Sequence, residues 1–210
     1  MKRSGFQTMS PYRYPLYILF HPKDGFQEMK ANKKGSLTAA GIIVLLWLFV
    51  EVFYRAFTDY DLNPFEIEST SLFRVSVITI MMYVMACVAN WCFCTLLDGK
   101  GRMTDIFIVG AYSLLPYVIV RFVTVLLSWL LIQDEGILIS YSVVLAQVWC
   151  CIMILIGLQE IHEYSMKKVL LSLFLTVVGI VIMLFLALVL IMLFQQLYYF
   201  VATVSFELRY

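Results

Sequence analysis

Arg121 is the residue whose type and position most demand a chemical explanation, since it stands near the middle of an apolar run over residues 105–132. A guanidinium at that depth is costly unless an anion, a water-filled cavity or a lipid phosphate meets it. Ser113, Tyr117, Arg121, Thr124 and Ser128 follow at spacings of four, four, three and four, which gathers them on one helix face. Counting helical rise from the outer end of each span puts Glu51 roughly 10 Å deep, Gln147 roughly 12 Å, and Tyr83 and Arg121 roughly 16 Å. The depths predict a cluster in which Arg121 meets Glu51 while Tyr83 and Gln147 complete the hydrogen bonds that a buried guanidinium requires. Arg55 is a rival for Glu51, four residues further along the same helix in the favourable order. Arg121 would then turn to carbonyls freed by Pro116 or to lipid phosphate. Three chemistries stay open for such a cluster: a pin for the bundle, a cavity for lipid or a small anion, and an ion or proton path. A path needs polar groups toward the inner end, where Asn90 and Cys94 continue the Ser76, Thr79 and Tyr83 face.

Other reactive side chains carry less. The five cysteines are an odd number; Cys92 and Cys94 have one intervening residue and no nearby histidine, so packed thiols rather than a metal site are expected. His162 and Glu163 lack further ligands in their short loop and read as a cap and hinge for the last helix. Gly99 and Gly101 suit a tight turn, because no Lys-Ser/Thr follows to complete a phosphate loop. With no nucleophile and base in register, neither a catalytic residue, a metal nor a cofactor is expected.

The elements that must position these groups are membrane spans. The chain of 210 residues is 62% hydrophobic and 14% charged, with a mean hydropathy of +0.90, far outside soluble usage. The fold class is an all-α polytopic transmembrane bundle of about five spans, at 36–57, 72–97, 105–132, 139–158 and 169–194. Residues 1–35 form an N-terminal interfacial segment and 36–210 the membrane domain. Within the first segment Tyr12, Tyr14, Tyr17 and Phe20 suit the headgroup layer, and Phe26 with Met29 mark the apolar side of a short helix lying on lipid or, alternatively, on a partner. Lys and Arg concentrate before the first span, at Lys100 and Arg102, and at Lys167 and Lys168. By the positive-inside rule the N-terminus is cytoplasmic and the C-terminus extracellular.

Packing signals accompany the spans. Ser142, Ala146 and Cys150 recur every four residues as a small-residue seam, and Pro116 is a kink site. Between Val169 and Phe206 only Gly179 interrupts the apolar pattern. One straight helix there would measure on the order of 55 Å, so an exit at Gln195 and Gln196 and a surface-lying tail over 195–210 are expected.

Ordered motifs tie the second half together. Leu97-Asp98-Gly99-Lys100-Gly101-Arg102-Met103-Thr104-Asp105, then Ala111-Tyr112-Ser113-Leu114-Leu115-Pro116, then Ile161-His162-Glu163-Tyr164-Ser165, resemble the Yip domain family, named for Ypt/Rab-interacting proteins. The opening His21-Pro22-Lys23-Asp24-Gly25-Phe26 resembles the short bacterial branch. The resemblance implies five spans, no reaction, and Gly99, Gly101, Asp105, His162, Glu163 and Tyr164 as the family-like residues. Eukaryotic relatives bind small GTPases and shape ER and Golgi membranes. The Asp-Leu-Tyr-Gly-Pro motif of those relatives is missing ahead of the first span, and Asp61-Leu62-Asn63-Pro64 follows it instead. The expected function is a non-enzymatic accessory, scaffolding or membrane-organising subunit in a bacterial plasma membrane, or alternatively in ER or Golgi membrane. Expected partners are the lipid bilayer, other membrane proteins of a transport system, and a further copy of the chain, but not nucleic acid. The alternative function is a small transporter or channel component, or a lipid-binding protein, with a polar cavity around Arg121.

Overall fold

Leu37, Leu72, Met103, Gly136 and Met166 each open a helix long and apolar enough to cross a bilayer. The structure, a computed structural model, describes residues 13–32, 34–57, 71–129 and 136–207. In chain order the helices are α1 (Tyr14–Phe20), α2 (Pro22–Asn32), α3 (Leu37–Phe57), α4 (Leu72–Leu96), α5 (Met103–Ser113), α6 (Leu115–Ser128), α7 (Gly136–His162) and α8 (Met166–Glu207). The five spans are α3, α4, α5 with α6, α7, and α8. The protein is therefore an all-α polytopic membrane bundle.

The third span is divided where the sequence places Pro116. Lacking an N–H, Pro116 cannot continue the ladder of the preceding turn. The Leu114 N–H bonds instead to the Ala111 carbonyl at 3.2 Å, a tightened turn, and α6 restarts at once. This interrupted span is half buried, the largest share of the five, because α3 and α7 both pack on each of its halves. Everything else is arranged around it.

Small residues decide which helices come close. Ala146 and Cys150 of the α7 seam are buried, and α7 makes its most extensive contact with α6. Ser142 is half-buried, and its hydroxyl donates back to the Ile139 carbonyl at 2.7 Å. Further along, Gly157 opens a space in which Phe26 and Val109 rest against α7. Phe26 and Ile18 are fully buried and Met29 nearly so. The apolar side of α2 therefore faces α7, and the lipid-lying arrangement expected for it is corrected: the α1–α2 hairpin is part of the bundle. Gly25 permits that hairpin to close, since a Cβ there would lie 2.5 Å from Ile18 Cγ1. The Tyr14 hydroxyl, donating to the Gly25 carbonyl at 2.7 Å, holds it shut.

α8 packs chiefly on α4 and more lightly on α7. Only Val169, Ser172, Thr176 and Gly179 of its 42 residues are buried. It remains helical through Gln195 and Gln196, where the sequence places an exit, because no proline breaks the ladder. At 1.5 Å per residue it measures about 63 Å. The last residues of the expected tail, 208–210, lie outside the described residues.

Candidate functional site

Two groups of polar side chains stand out, one within the spans and one at the end of the bundle that carries α2. In the first, α3 supplies Glu51 and Tyr54, three residues apart on one face, and α6 supplies Tyr117 and Arg121, four apart. The Tyr117 hydroxyl donates to Glu51 Oε1 at 2.5 Å. The Arg121 guanidinium carbon sits 3.4 Å from the centroid of the Tyr54 ring and 6.0 Å from that of Tyr117. A cation over an aromatic face is held by the ring quadrupole, and the attraction grows as water is excluded. Arg121 Nε is buried and has no hydrogen-bond partner. Among the described residues Arg121 and Glu51 form no ion pair; tyrosine rings lie where a direct charge pair was expected.

The structure does not bring Tyr83 or Gln147 to this group. Tyr83 donates to the Phe107 carbonyl at 2.7 Å and packs edge-on against the Phe107 ring at 5.2 Å. Helix α4 lies against α5 rather than α6, so equal depth does not put Tyr83 beside Arg121. Gln147 is exposed, one residue, or about 100° of helical turn, past the inward Ala146. Two members of the polar stripe on the third span close on its own backbone, while the buried Ser113 hydroxyl has no hydrogen-bond partner. Thr124 donates to the Arg121 carbonyl at 2.8 Å and Ser128 to the Val125 carbonyl at 2.7 Å. Toward the other end, Asn90 Nδ2 donates to Thr176 Oγ1 at 2.9 Å and Ser172 Oγ at 3.3 Å. The Cys94 thiol lies 3.0 Å from Ser172 Oγ. Those groups fasten α4 to α8.

The second group gathers at the end that carries α2. Helices α4 and α7 finish there in the same way, with a left-handed residue just past the last turn: Asp98 at φ 60° and Glu163 at φ 55°. The next N–H reaches back across the turn, from Gly99 to the Cys94 carbonyl at 2.7 Å and from Tyr164 to the Gln159 carbonyl at 3.1 Å. This is the Schellman arrangement. The two turns interlock. The Gly101 N–H donates to His162 Nδ1 at 3.3 Å, the His162 and Tyr164 rings stack at 5.1 Å, and the Tyr164 hydroxyl donates to the carbonyls of Cys94 (3.0 Å) and Leu97 (3.2 Å). Because Nδ1 accepts, the histidine proton is assigned to Nε2. Asp105 takes the Arg102 N–H at 3.1 Å and so caps α5.

Glu163 ties three segments together. It accepts from Lys30 of α2 at 2.7 Å and from Lys100 of the α4–α5 turn. Those bonds, from Lys100 first and then Lys30, hold its carboxyl down at about 2, against an ordinary 4.5. Burial pushes the Tyr164 hydroxyl the other way, up to about 12. The depressed carboxyl contributes stability in full above pH 4.5 that is lost as pH falls toward 2. The melting temperature of the wild type is therefore expected to exceed that of Glu163→Gln above pH 5, with the two curves converging between pH 4.5 and 2. A constant gap across that window would contradict the assignment.

All six family-like residues thus meet at one end of the bundle. A family model for the Yip1 domain matches residues 16–190. The chain belongs to the Yip1 domain family. No curated protein and no solved structure matches it. Both polar groups lie inside the Yip1 domain, whose match ends within α8 at Leu190, before Gln195. Members of this family are non-catalytic, and this one is a non-enzymatic integral membrane protein. Among the described residues no group of three or more His, Cys, Asp or Glu side chains could hold a metal ion.

Sequence reasoning missed Lys30 as the third partner at the turns and Tyr117 with Tyr54 as the neighbours of the two half-buried charges. Lys30 had no signal in the chain. Tyr117 had one, its place four residues before Arg121 on the same face.

Proposed function

We propose that this Yip-family protein is an accessory or membrane-organising subunit that binds another integral membrane protein through α8. The observation that carries the reading is α8 itself, in which every residue from Phe185 to Glu207 is exposed. A helix of about 63 Å is twice the ~30 Å hydrocarbon thickness. Upright, it would put Tyr198, Tyr199, Phe200 and Phe206 into water, and a partner that covers its upper half removes that cost. The polar groups of the spans support the same reading against a transporter, because Asn90, Thr124 and Ser128 are engaged with helices rather than turned to a path. The Lys and Arg asymmetry supports a cytoplasmic N-terminus, and the likeness of residues 21–26 to the bacterial branch supports a bacterial plasma membrane.

The test is purification of the tagged full chain from native membranes in a mild detergent, with mass spectrometry of what remains bound. One integral membrane protein at near-stoichiometric yield is expected, and it should be lost from the combined Phe185→Ala, Leu190→Ala, Phe194→Ala variant. Recovery of the chain alone, or only with itself, would overturn the reading.

A further inference from the structure

Beside the interlocked turns lies a cavity of about 410 Å³. Lys30, Lys100, Arg102 and Asp105 line it together with Met29 and Ile108, whose side chains both lie against Gly35. Three cations against one carboxylate leave this lining at a formal charge of three minus one, or +2. The carboxylate is already engaged, accepting from the backbone N–H of Arg102 at 3.1 Å and from its Nε at 3.5 Å. Glu163, which holds both lysines, stands outside the lining. An anion entering the cavity therefore meets two ammonium groups and a guanidinium opposed by two carboxylates, Asp105 within the lining and Glu163 beside it, so that three minus two leaves a formal charge of +1.

Position narrows the chemistry of that anion. The lining includes Leu37, the first residue of α3, and Arg102 and Thr104, which flank the first residue of α5. The cavity thus lies where two spans enter the bilayer, at the level of the headgroups. A site there whose lining combines cations with methionine and isoleucine side chains suits a group that is charged at one end and apolar at the next.

We propose that this cavity binds a phosphate-bearing anionic group, supplied by the headgroup of an acidic phospholipid in the leaflet that borders the α2 end. Arg102 and Lys100 contact the phosphate, Lys30 completes the charge, and Met29 and Ile108 take the glycerol carbons. Glu163 competes with the phosphate for the lysines. The site is separate from the partner-binding helix, so its failure would leave the reading of α8 untouched.

The test uses the full chain in an uncharged maltoside detergent, titrated with dihexanoyl phosphatidic acid, dihexanoyl phosphatidylcholine or inorganic phosphate at matched ionic strength, with the melting temperature as readout. Phosphatidic acid is expected to raise the melting temperature and phosphatidylcholine to leave it unchanged. Arg102→Gln, at an exposed position, should weaken the apparent affinity roughly tenfold, the usual weight of one charge-assisted contact. Glu163→Gln should strengthen binding even though it loosens the turn, because it frees two lysines; Lys23→Gln, outside the lining, should change nothing. If inorganic phosphate reproduces the shift at equal concentration, the phosphate site stands and its source is a soluble phosphate. Equal shifts with both lipids, no shift with any probe, or a phosphatidic acid shift that Arg102→Gln leaves intact would overturn the proposal.

Discussion

Arg121→Glu is expected to remove the folded protein from membranes almost completely. The substitution puts a carboxylate on the electron-rich face of Tyr54, over which the guanidinium now sits at 3.4 Å. It also adds a second negative charge to a group in which Glu51 is already held by Tyr117. Leaving a buried charge uncompensated typically costs about 3–5 kcal/mol, a large part of the stability of an ordinary domain. Arg121→Met separates charge from volume: it keeps the stem packed and loses only the cation–π contact, at a cost of about 1–2 kcal/mol. Tyr117→Phe should cost about 1–3 kcal/mol by leaving the Glu51 carboxylate without its donor. Detergent-extracted yield of monodisperse protein and its melting temperature measure all three, in the order Glu far below Met and Phe. If Arg121→Met is expressed and assembles as the wild type does, the group does not pin the bundle, and a ligand role for it gains weight.

Gly99→Val is expected to have an effect nearly as large at the end of the bundle that carries α2. A Cβ at Gly99 would run into His162 Nδ1 and lie 2.6 Å from the Tyr164 hydroxyl and 2.8 Å from the Cys94 carbonyl oxygen. None of the three can withdraw cheaply. The carbonyl is backbone, the hydroxyl is bonded to it, and the histidine is fully buried between the turns. Overpacking of this kind costs about 1–3 kcal/mol for a single added methyl and more for valine. Gly41→Ala is the control, since a Cβ there meets nothing within 4 Å. Inside α3, one turn past its start, it should be neutral or stabilising by up to about 1 kcal/mol. A melting curve for Gly99→Val that overlays the wild type would show that the two turns do not depend on their close approach.

Much of the architecture is legible in the chain because each span is declared by a local property. Apolar length sets the number of spans, Pro116 marks the divided one, and the small residues at 142, 146 and 150 mark a contact face of α7. The limits of the legible part are equally physical. Depth along a helix is one coordinate; which neighbour a residue faces depends on rotation and tilt, which packing decides. Tyr83 and Gln147 were matched to Arg121 by depth alone, and they face Phe107 and the outside instead. The inward turn of α2 was hidden for a different reason. It depends on Gly157, more than a hundred residues away, leaving room for Phe26, a relation that no window along the sequence contains. The knot of Gly99, Gly101, His162 and Tyr164 could be read as two separate turns but not as one contact, because its hydrogen bonds join residues about sixty positions apart.

The central claim is that α8 is a surface offered to another membrane protein, and in-membrane photocross-linking tests it most directly. A photoreactive residue placed singly at Phe185, Leu190 or Phe194 should yield a discrete adduct with the same second membrane protein. The same probe at Thr176, which packs against Asn90 of α4, should yield none. Adducts at the three exposed positions that contain only lipid, or only a second copy of the chain, would contradict the account.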